Sequence, residues 1–251
     1  MSRARIIRPV VDLRAAPEGA RARQLLLGDP VEVLARQGDC CQVRAEKDGY
    51  TGWLEGAALG APLEASHYVS APATHAYRAA DFKSPDLLSL SLGSRLAVTG
   101  REGRFVMTDQ GFVPLAHVTE LTTPAPDPVA VAEALLGTPY LWGGNSRFGI
   151  DCSGLVQLSC HLCGIDCPGD SGPQEAMLGA RLPEGTGYAR GDLLFWKGHV
   201  AWVRDPLTLL HANVHAMAVA LEPIHSAIAR IAEQGDGPVT AHKRLGKGQA
   251  G

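Results

Sequence analysis

The sequence contains no apolar run long enough to span a bilayer, and its start, Met1-Ser2-Arg3-Ala4-Arg5-Ile6-Ile7-Arg8-Pro9, has positive charge without the apolar core of a secretory signal. The expected location is therefore cytoplasmic, with no membrane partner. Neither sign of charge is in excess: 23 Lys and Arg against 26 Asp and Glu leave a formal net charge of −3. The basic residues are also scattered, so nothing marks a surface for nucleic acid or anionic lipid. The chain of 251 residues has six cysteines. Cys40, Cys41, Cys152, Cys160, Cys163 and Cys167 do not make a disulfide framework at this length and fit a reducing compartment. A single Cys-x-x-Cys at Cys160 and Cys163, with His161 between them, lacks the second ligand pair of a structural zinc site. Cys160, Cys163 and Cys167 are instead expected on one buried helix face with Val156, and no metal or other cofactor is expected. No feature points to a particular protein partner.

What is present is 45% hydrophobic residues, enough for one large core or two to three small ones. From about residue 5 to 60 the chain reads as short strands, Arg8–Leu13, Leu25–Leu27, Val31–Arg36, Cys40–Ala45 and Gly52–Leu54, separated by breaks rich in Gly, Pro and Asp. Regular turns between short strands predict a small barrel or sandwich. The run Gly28-Asp29-Pro30-Val31-Glu32-Val33-Leu34, closed by Gly52-Trp53-Leu54, resembles the bacterial SH3-like barrel. A related pattern recurs in Leu92-Gly93-Ser94-Arg95-Leu96-Ala97-Val98 and Gly111-Phe112-Val113-Pro114, which predicts a second such barrel. The expected domains are 1–62 and 66–121 as barrels, a stiff Pro-rich linker at 122–128, and a third domain at 129–251. That third domain opens with an amphipathic helix from Val129 to Leu136, ended by Gly137. The polar, Gly-rich stretch after Gly235 is expected to hold its last ten or so residues loosely.

The chemistry concentrates between Thr138 and Gln157. Cys152 follows a Gly-rich loop and precedes the apolar run Leu155, Val156, Leu158, the start of a helix with Asp151 as its N-cap. A thiol at a helix N-terminus faces unpaired N–H groups and the positive end of the dipole, and both favour the thiolate. Some fifty residues on, Gly191-Asp192-Leu193-Leu194-Phe195-Trp196 and His199-Val200-Ala201-Trp202-Val203 read as strands around a Lys197-Gly198 turn. A third strand, Leu207 to Ala212, carries His211. Successive antiparallel strands set His199 and His211 side by side, so a cysteine, a histidine base and a polar orienter occur in a workable order.

Pro139-Tyr140-Leu141-Trp142-Gly143-Gly144, Asp151-Cys152-Ser153-Gly154-Leu155-Val156, Gly191 to Trp196 and Gly198-His199-Val200 resemble, in order, the signatures of the NlpC/P60 papain-like cysteine peptidases. The resemblance covers about Val129 to Ile231. It implies an α+β fold, a papain-like catalytic domain behind the two small all-β SH3-like barrels. It also implies nucleophile Cys152, base His199 and orienter His211, with Tyr140 beside the thiolate, Trp142 near the substrate and the Cys152 N–H near the oxyanion. Ala201 stands where the family often has glycine, and its methyl is expected to narrow the cleft. Asp151, Ser153 and Ser171 suit a substrate's free amine or carboxylate, and the family's barrel-plus-peptidase layout implies an acid and a tyrosine from the first barrel, here Glu18 and Tyr50.

The implied reaction is hydrolysis of the γ-D-glutamyl–L-diamino acid bond in short murein peptides with free N-terminal L-Ala, as in cell-wall peptide recycling. The residues alone imply only acyl transfer by a thiolate. Two alternatives keep the same residues: a wall-binding module with an inert third domain, and an acyltransferase or amidase on another amide. The sequence does not separate diaminopimelate from lysine after D-Glu.

Overall fold

A computed structural model describes residues 2–246, which form two compact units. Among the described residues, the first comprises 2–123 with Asn145–Phe148, and the second comprises 124–144 with 149–246.

The first unit has two lobes. In one, an antiparallel sheet runs in the order Arg21–Leu26, Val10–Arg14, Thr51–Glu55, Cys40–Ala45, Pro30–Gln37, Ser2–Ile6, Leu59–Gly60. Alternating Val31 and Val33, Cys41 and Val43 put one face of each strand into a core with Ile6, Leu13 and Leu54. The Ser2–Ile6 strand is an addition to the expected set: its Ala4 lies opposite Val31, and Ile6 is fully buried. The other lobe has a five-stranded sheet, Asp86–Ser91, Ala73–Tyr77, Gly111–Pro114, Phe105–Thr108, Val98–Glu102, and a smaller one of Arg95–Leu96, His67–Val69 and Val118–Glu120. Its strands follow one another through the five-stranded sheet as their counterparts do in the first lobe. Each lobe also closes with a short 3-10 turn, Gly56–Ala58 and Leu115–His117.

The lobes meet at Leu27 and Gly28. Leu27 belongs to the second lobe's core, and its carbonyl accepts the Arg95 N–H at 2.8 Å. Gly28 has φ of +82°, and a Cβ there would lie 2.3 Å from the Arg95 carbonyl oxygen. Backbone cannot yield as a side-chain tip can. Gly28→Ala is therefore expected to destabilise the first unit by about 2–4 kcal/mol, combining left-handed strain with overpacking. Urea unfolding of the full chain measures this, and a loss under about 0.5 kcal/mol, the range of an ordinary surface change, would contradict it.

The second unit is a six-stranded antiparallel sheet, Ala180–Arg181, Ala241–Arg244, Asp192–Trp196, His199–Asp205, Thr208–Asn213, Ala218–Pro223, with helices on it. Helix α1, Pro128–Glu133, is capped by the Asp127 carboxylate, with Pro128 at its first position, and is shorter than the expected Val129-to-Leu136 helix. Helix α2, Cys152–Leu162, is tied to the sheet by Trp202, whose Nε1 donates to Ser159 Oγ at 3.0 Å. Helix α3 is Ser171–Met177, and α4, Ile224–Glu233, packs Ile224, Ala227 and Ile231 against Leu194, Ala201, Val203 and Leu209. Period-two alternation sends Ala201 into this α4-side core, fully buried. Its methyl is thus a packing group and does not narrow the cleft.

Two further expectations change. Helix α2 stops at Leu162, so Cys167 lies beyond it and not on its face, although its sulfur still reaches hydrogen-bonding distance of Cys160. The polar end of the chain is also not loose through residue 244. Ala241–Arg244 pairs on one side with Asp192–Trp196, where fully buried Asp192 accepts from Arg244 Nε at 2.5 Å and lies 2.7 Å from His242 Nε2. Burial pushes the Asp192 carboxyl up, and Arg244 and His242 more than offset it, leaving the group below its ordinary value. The remainder of that expectation, 247–251, lies outside the described residues.

Candidate active site

Asp151 builds the loop that carries the cysteine. Its Oδ1 accepts from the Gly154 N–H at 2.7 Å and from Ser153 Oγ at 3.1 Å, and its Oδ2 accepts from the Gly143 N–H at 2.9 Å. One carboxylate thus caps α2 and fastens the Gly143-Gly144 loop to it. On the other side of that loop the Tyr140 N–H donates to the Met217 carbonyl at 2.9 Å. Met217 holds that carbonyl from a left-handed backbone, φ 50°, inside the turn between the last two sheet strands.

Cys152 sits at the first position of α2, 6% exposed. The N–H groups of Val200, Ser153 and Cys152 itself point at its sulfur, so the thiol lies beside the start of the His199–Asp205 strand. Burial, and then the Asp151 charge, outweigh those N–H groups and push the thiol up to about 12. The helix-terminus argument thus holds in sign but loses in size. His199 is displaced the other way, to about 3, by burial and then by His211 and Arg230. Burial thus works against the charged form of each partner, and so against a thiolate–imidazolium pair. Burial first, and then the Cys152 and Asp151 groups beside it, push the Tyr140 hydroxyl up, so it stays protonated and available as a donor.

His199 Nε2 and His211 Nδ1 are 2.9 Å apart, and fully buried His211 has its Nε2 3.0 Å from Glu222 Oε2. Arg230 of α4 completes the row, donating from Nε to Glu222 Oε1 at 2.8 Å and from Nη2 to Oε2 at 2.7 Å. Strand geometry explains the alignment: His199 shares a face with Ala201, His211 with Leu209, and Glu222 lies opposite Leu209, so all three point to the α4 side. A cavity of about 200 Å³ joins Cys152 and His199 with Tyr140, Trp142, Lys197 and Asn213. Asp151, Ser153 and Ser171 do not line it. Ser153 is buried at 7% exposure, and Ser171 opens α3. Glu18 and Tyr50 belong to the first unit, where Glu18 is exposed and half-buried Tyr50 carries the Arg23 guanidinium 5.5 Å from its ring centre. Among the described residues no group of three His, Cys, Asp or Glu side chains is placed to hold a metal ion.

Residues 137–231 match the NlpC/P60 family, and residues 13–59 match the bacterial dipeptidyl-peptidase SH3 domain. The chain carries an NlpC/P60 domain. The fold is papain-like and α+β, with the NlpC/P60 domain behind an SH3 domain. The chain is similar to a gamma-D-glutamyl-L-lysine dipeptidyl-peptidase of Bacillus subtilis, 32% identical over 191 residues, 69% of this chain and 63% of that protein. A Bacillus cereus protein of the same name is 25% identical over 237 residues, 81% of this chain and 70% of its own length. A solved NlpC/P60 family protein from Bacillus cereus ATCC 10987 has the same fold, with a TM-score of 0.81 at 22% identity, covering 97% of this chain and 99% of that one.

Within the NlpC/P60 domain, sequence reasoning leaves out Glu222 and Arg230. Glu222 is a lone acid near a strand end and Arg230 a lone base on a helix, a pairing no local pattern advertises. The period-two alternation of Ala218–Pro223 was the available signal, since it sets Glu222 and Ala220 on one face, and Ala220 lies opposite His211.

Proposed function

We propose that the protein hydrolyses the γ-D-glutamyl–L-diamino acid bond of short murein-derived peptides, through a thioester on Cys152. The observation that carries this is the 2.9 Å contact of buried His211 with His199, which shares a cavity with Cys152. The bond cleaved is inferred from the relatives named gamma-D-glutamyl-L-lysine dipeptidyl-peptidase. Cys152 Sγ attacks the γ-carbonyl carbon as His199 accepts the thiol proton, and the oxyanion takes up N–H donors at the start of α2. His199 then gives its proton to the leaving amine, and water, deprotonated by the same ring, releases the γ-D-glutamyl acid.

The reading extends to the substrate's other end: a free N-terminal L-Ala, peptides released from the wall as in recycling, and a cytoplasmic setting. The recurrence of the strand order in the second lobe supports reading that lobe as a second SH3-like barrel. Asp151, Ser153 and Ser171 are proposed to serve the ammonium. Acetylating that amine is then expected to lower kcat/KM roughly a hundredfold, the loss when a charged partner is left unmatched. The decisive experiment incubates the protein with L-Ala-γ-D-Glu-L-Lys, its diaminopimelate counterpart and the acetylated forms, with mass spectrometry of the products. Intact peptides throughout would end the proposal, and equal rates on free and acetylated peptides would remove its amine-binding part.

A further inference from the structure

The geometry points to Glu222, clamped by Arg230, as a positioning residue that fixes the ring tautomers of His211 and His199 and so places the His199 lone pair on Nδ1. This rests on the reading of Cys152 as nucleophile and His199 as base. An imidazole base works only if its free lone pair is on the nitrogen that faces the thiol. In a neutral ring one nitrogen carries the hydrogen and the other does not. Something must therefore decide which, and a His–His contact cannot decide by itself, because either ring can donate.

The decision comes from the far end of the row. An ionised carboxylate accepts hydrogen bonds and cannot donate. Two Arg230 donors at 2.8 and 2.7 Å hold Glu222 in that form, with its side chain 15% exposed. These bonds, and after them the one from His211, bring its carboxyl down to about 2. His211 Nε2, 3.0 Å away, must then carry its hydrogen toward Glu222, which leaves His211 Nδ1 as an acceptor. His199 Nε2, 2.9 Å from that nitrogen, must carry its hydrogen too. The remaining nitrogen, His199 Nδ1, is the base. His211 is fully buried, so water does not compete for either of its nitrogens. Were Glu222 protonated, its O–H could donate to His211 Nε2, reverse both hydrogen bonds and leave His199 with its hydrogen on Nδ1. Arg230 prevents this. The charged groups around the row are Glu222 on its strand, Arg230 on α4 and Asp236 just beyond that helix, which acts on Arg230.

The test compares wild type with Glu222→Gln, whose amide can donate or accept, and with Arg230→Lys, which keeps the charge but not the two-pronged clamp. Ring 15N shifts of His199 and His211 at pH 7 report the tautomers directly. Wild type should show hydrogen on Nε2 of both rings, and Glu222→Gln should show a mixture. Cys152 alkylation by iodoacetamide as a function of pH reads the thiol and its base without a peptide substrate, and should slow in Glu222→Gln. On L-Ala-γ-D-Glu-L-Lys, kcat should fall roughly 10- to 100-fold in that variant, with KM within about threefold, as for removal of a group that orients a reactive one. Arg230→Lys should fall between the two. Hydrogen on His199 Nδ1 in wild type overturns the inference, even if Glu222→Gln does not fold. So does a folded Glu222→Gln with wild-type tautomers and kcat. If wild type leaves the peptide intact, the substrate reading fails, while the shifts and alkylation still decide the role of Glu222.

Discussion

Replacing Cys152 with serine is expected to lower kcat on L-Ala-γ-D-Glu-L-Lys by roughly 10⁴-fold or more, in line with losses on removing a nucleophile elsewhere. The reason lies in the environment more than in the residue. Burial holds His199 at about 3 and Cys152 at about 12, so the base is weak and the proton it must take is firmly held. A thiol bridges that gap during attack because sulfur is a strong nucleophile even when little ionised; an alcohol is both a poorer nucleophile and a weaker acid. Serine is also nearly isosteric, and its hydroxyl can accept the N–H groups of Val200 and Ser153 that now face the sulfur. The folded state should therefore change by no more than about 1 kcal/mol, within the common range for a point substitution. A variant with unchanged Tm and more than a tenth of wild-type kcat would remove Cys152 from the mechanism.

His199→Ala should cost roughly 10³- to 10⁴-fold in kcat, because one side chain serves both as the base for the thiol and as the acid for the leaving amine. His211→Ala should cost less activity and more stability. His211 is fully buried between Glu222 and the His199 ring, so its removal opens a polar-lined void. Water entering there can still accept the His199 Nε2 hydrogen, which preserves part of the orientation. The lost packing and the altered surroundings of Glu222 should nevertheless destabilise by about 2–4 kcal/mol. Steady-state kinetics with thermal melts on both variants gives the comparison. A larger kcat loss for His211 than for His199 would exchange their roles.

Much of this arrangement is legible in residue order. The Lys197-Gly198 turn sets two strands, the Asp205-Pro206 break starts a third, and antiparallel pairing then brings His199 beside His211. Local signals also mark Asp151 as a cap, because capping is decided within four residues. What escapes is whatever depends on partners far along the chain. The Ser2–Ile6 strand has two exposed positions at its start and is explained only by its pairing with Pro30–Gln37. Ala241–Arg244 reads as a solvated basic end, yet Lys243 is 7% exposed and donates to the Glu175 carbonyl, and Arg244 neutralises a buried aspartate. Glu222 and Arg230 are charges whose meaning is set by buried His211. The size of the Cys152 displacement is likewise a matter of burial, which a helix-start motif does not report.

The place of Ala241–Arg244 in the sheet also bears on synthesis. Every strand of the first unit has been made once residue 148 has emerged. The second unit differs. Cys152, His199 and His211 are all translated before the strand that flanks Asp192–Trp196 exists, and until then the buried Asp192 has neither Arg244 nor His242. A nascent chain thus holds its full set of reactive side chains for some thirty residues of translation while its sheet stays unfinished, a built-in delay between making the nucleophile and locking the frame that aims it.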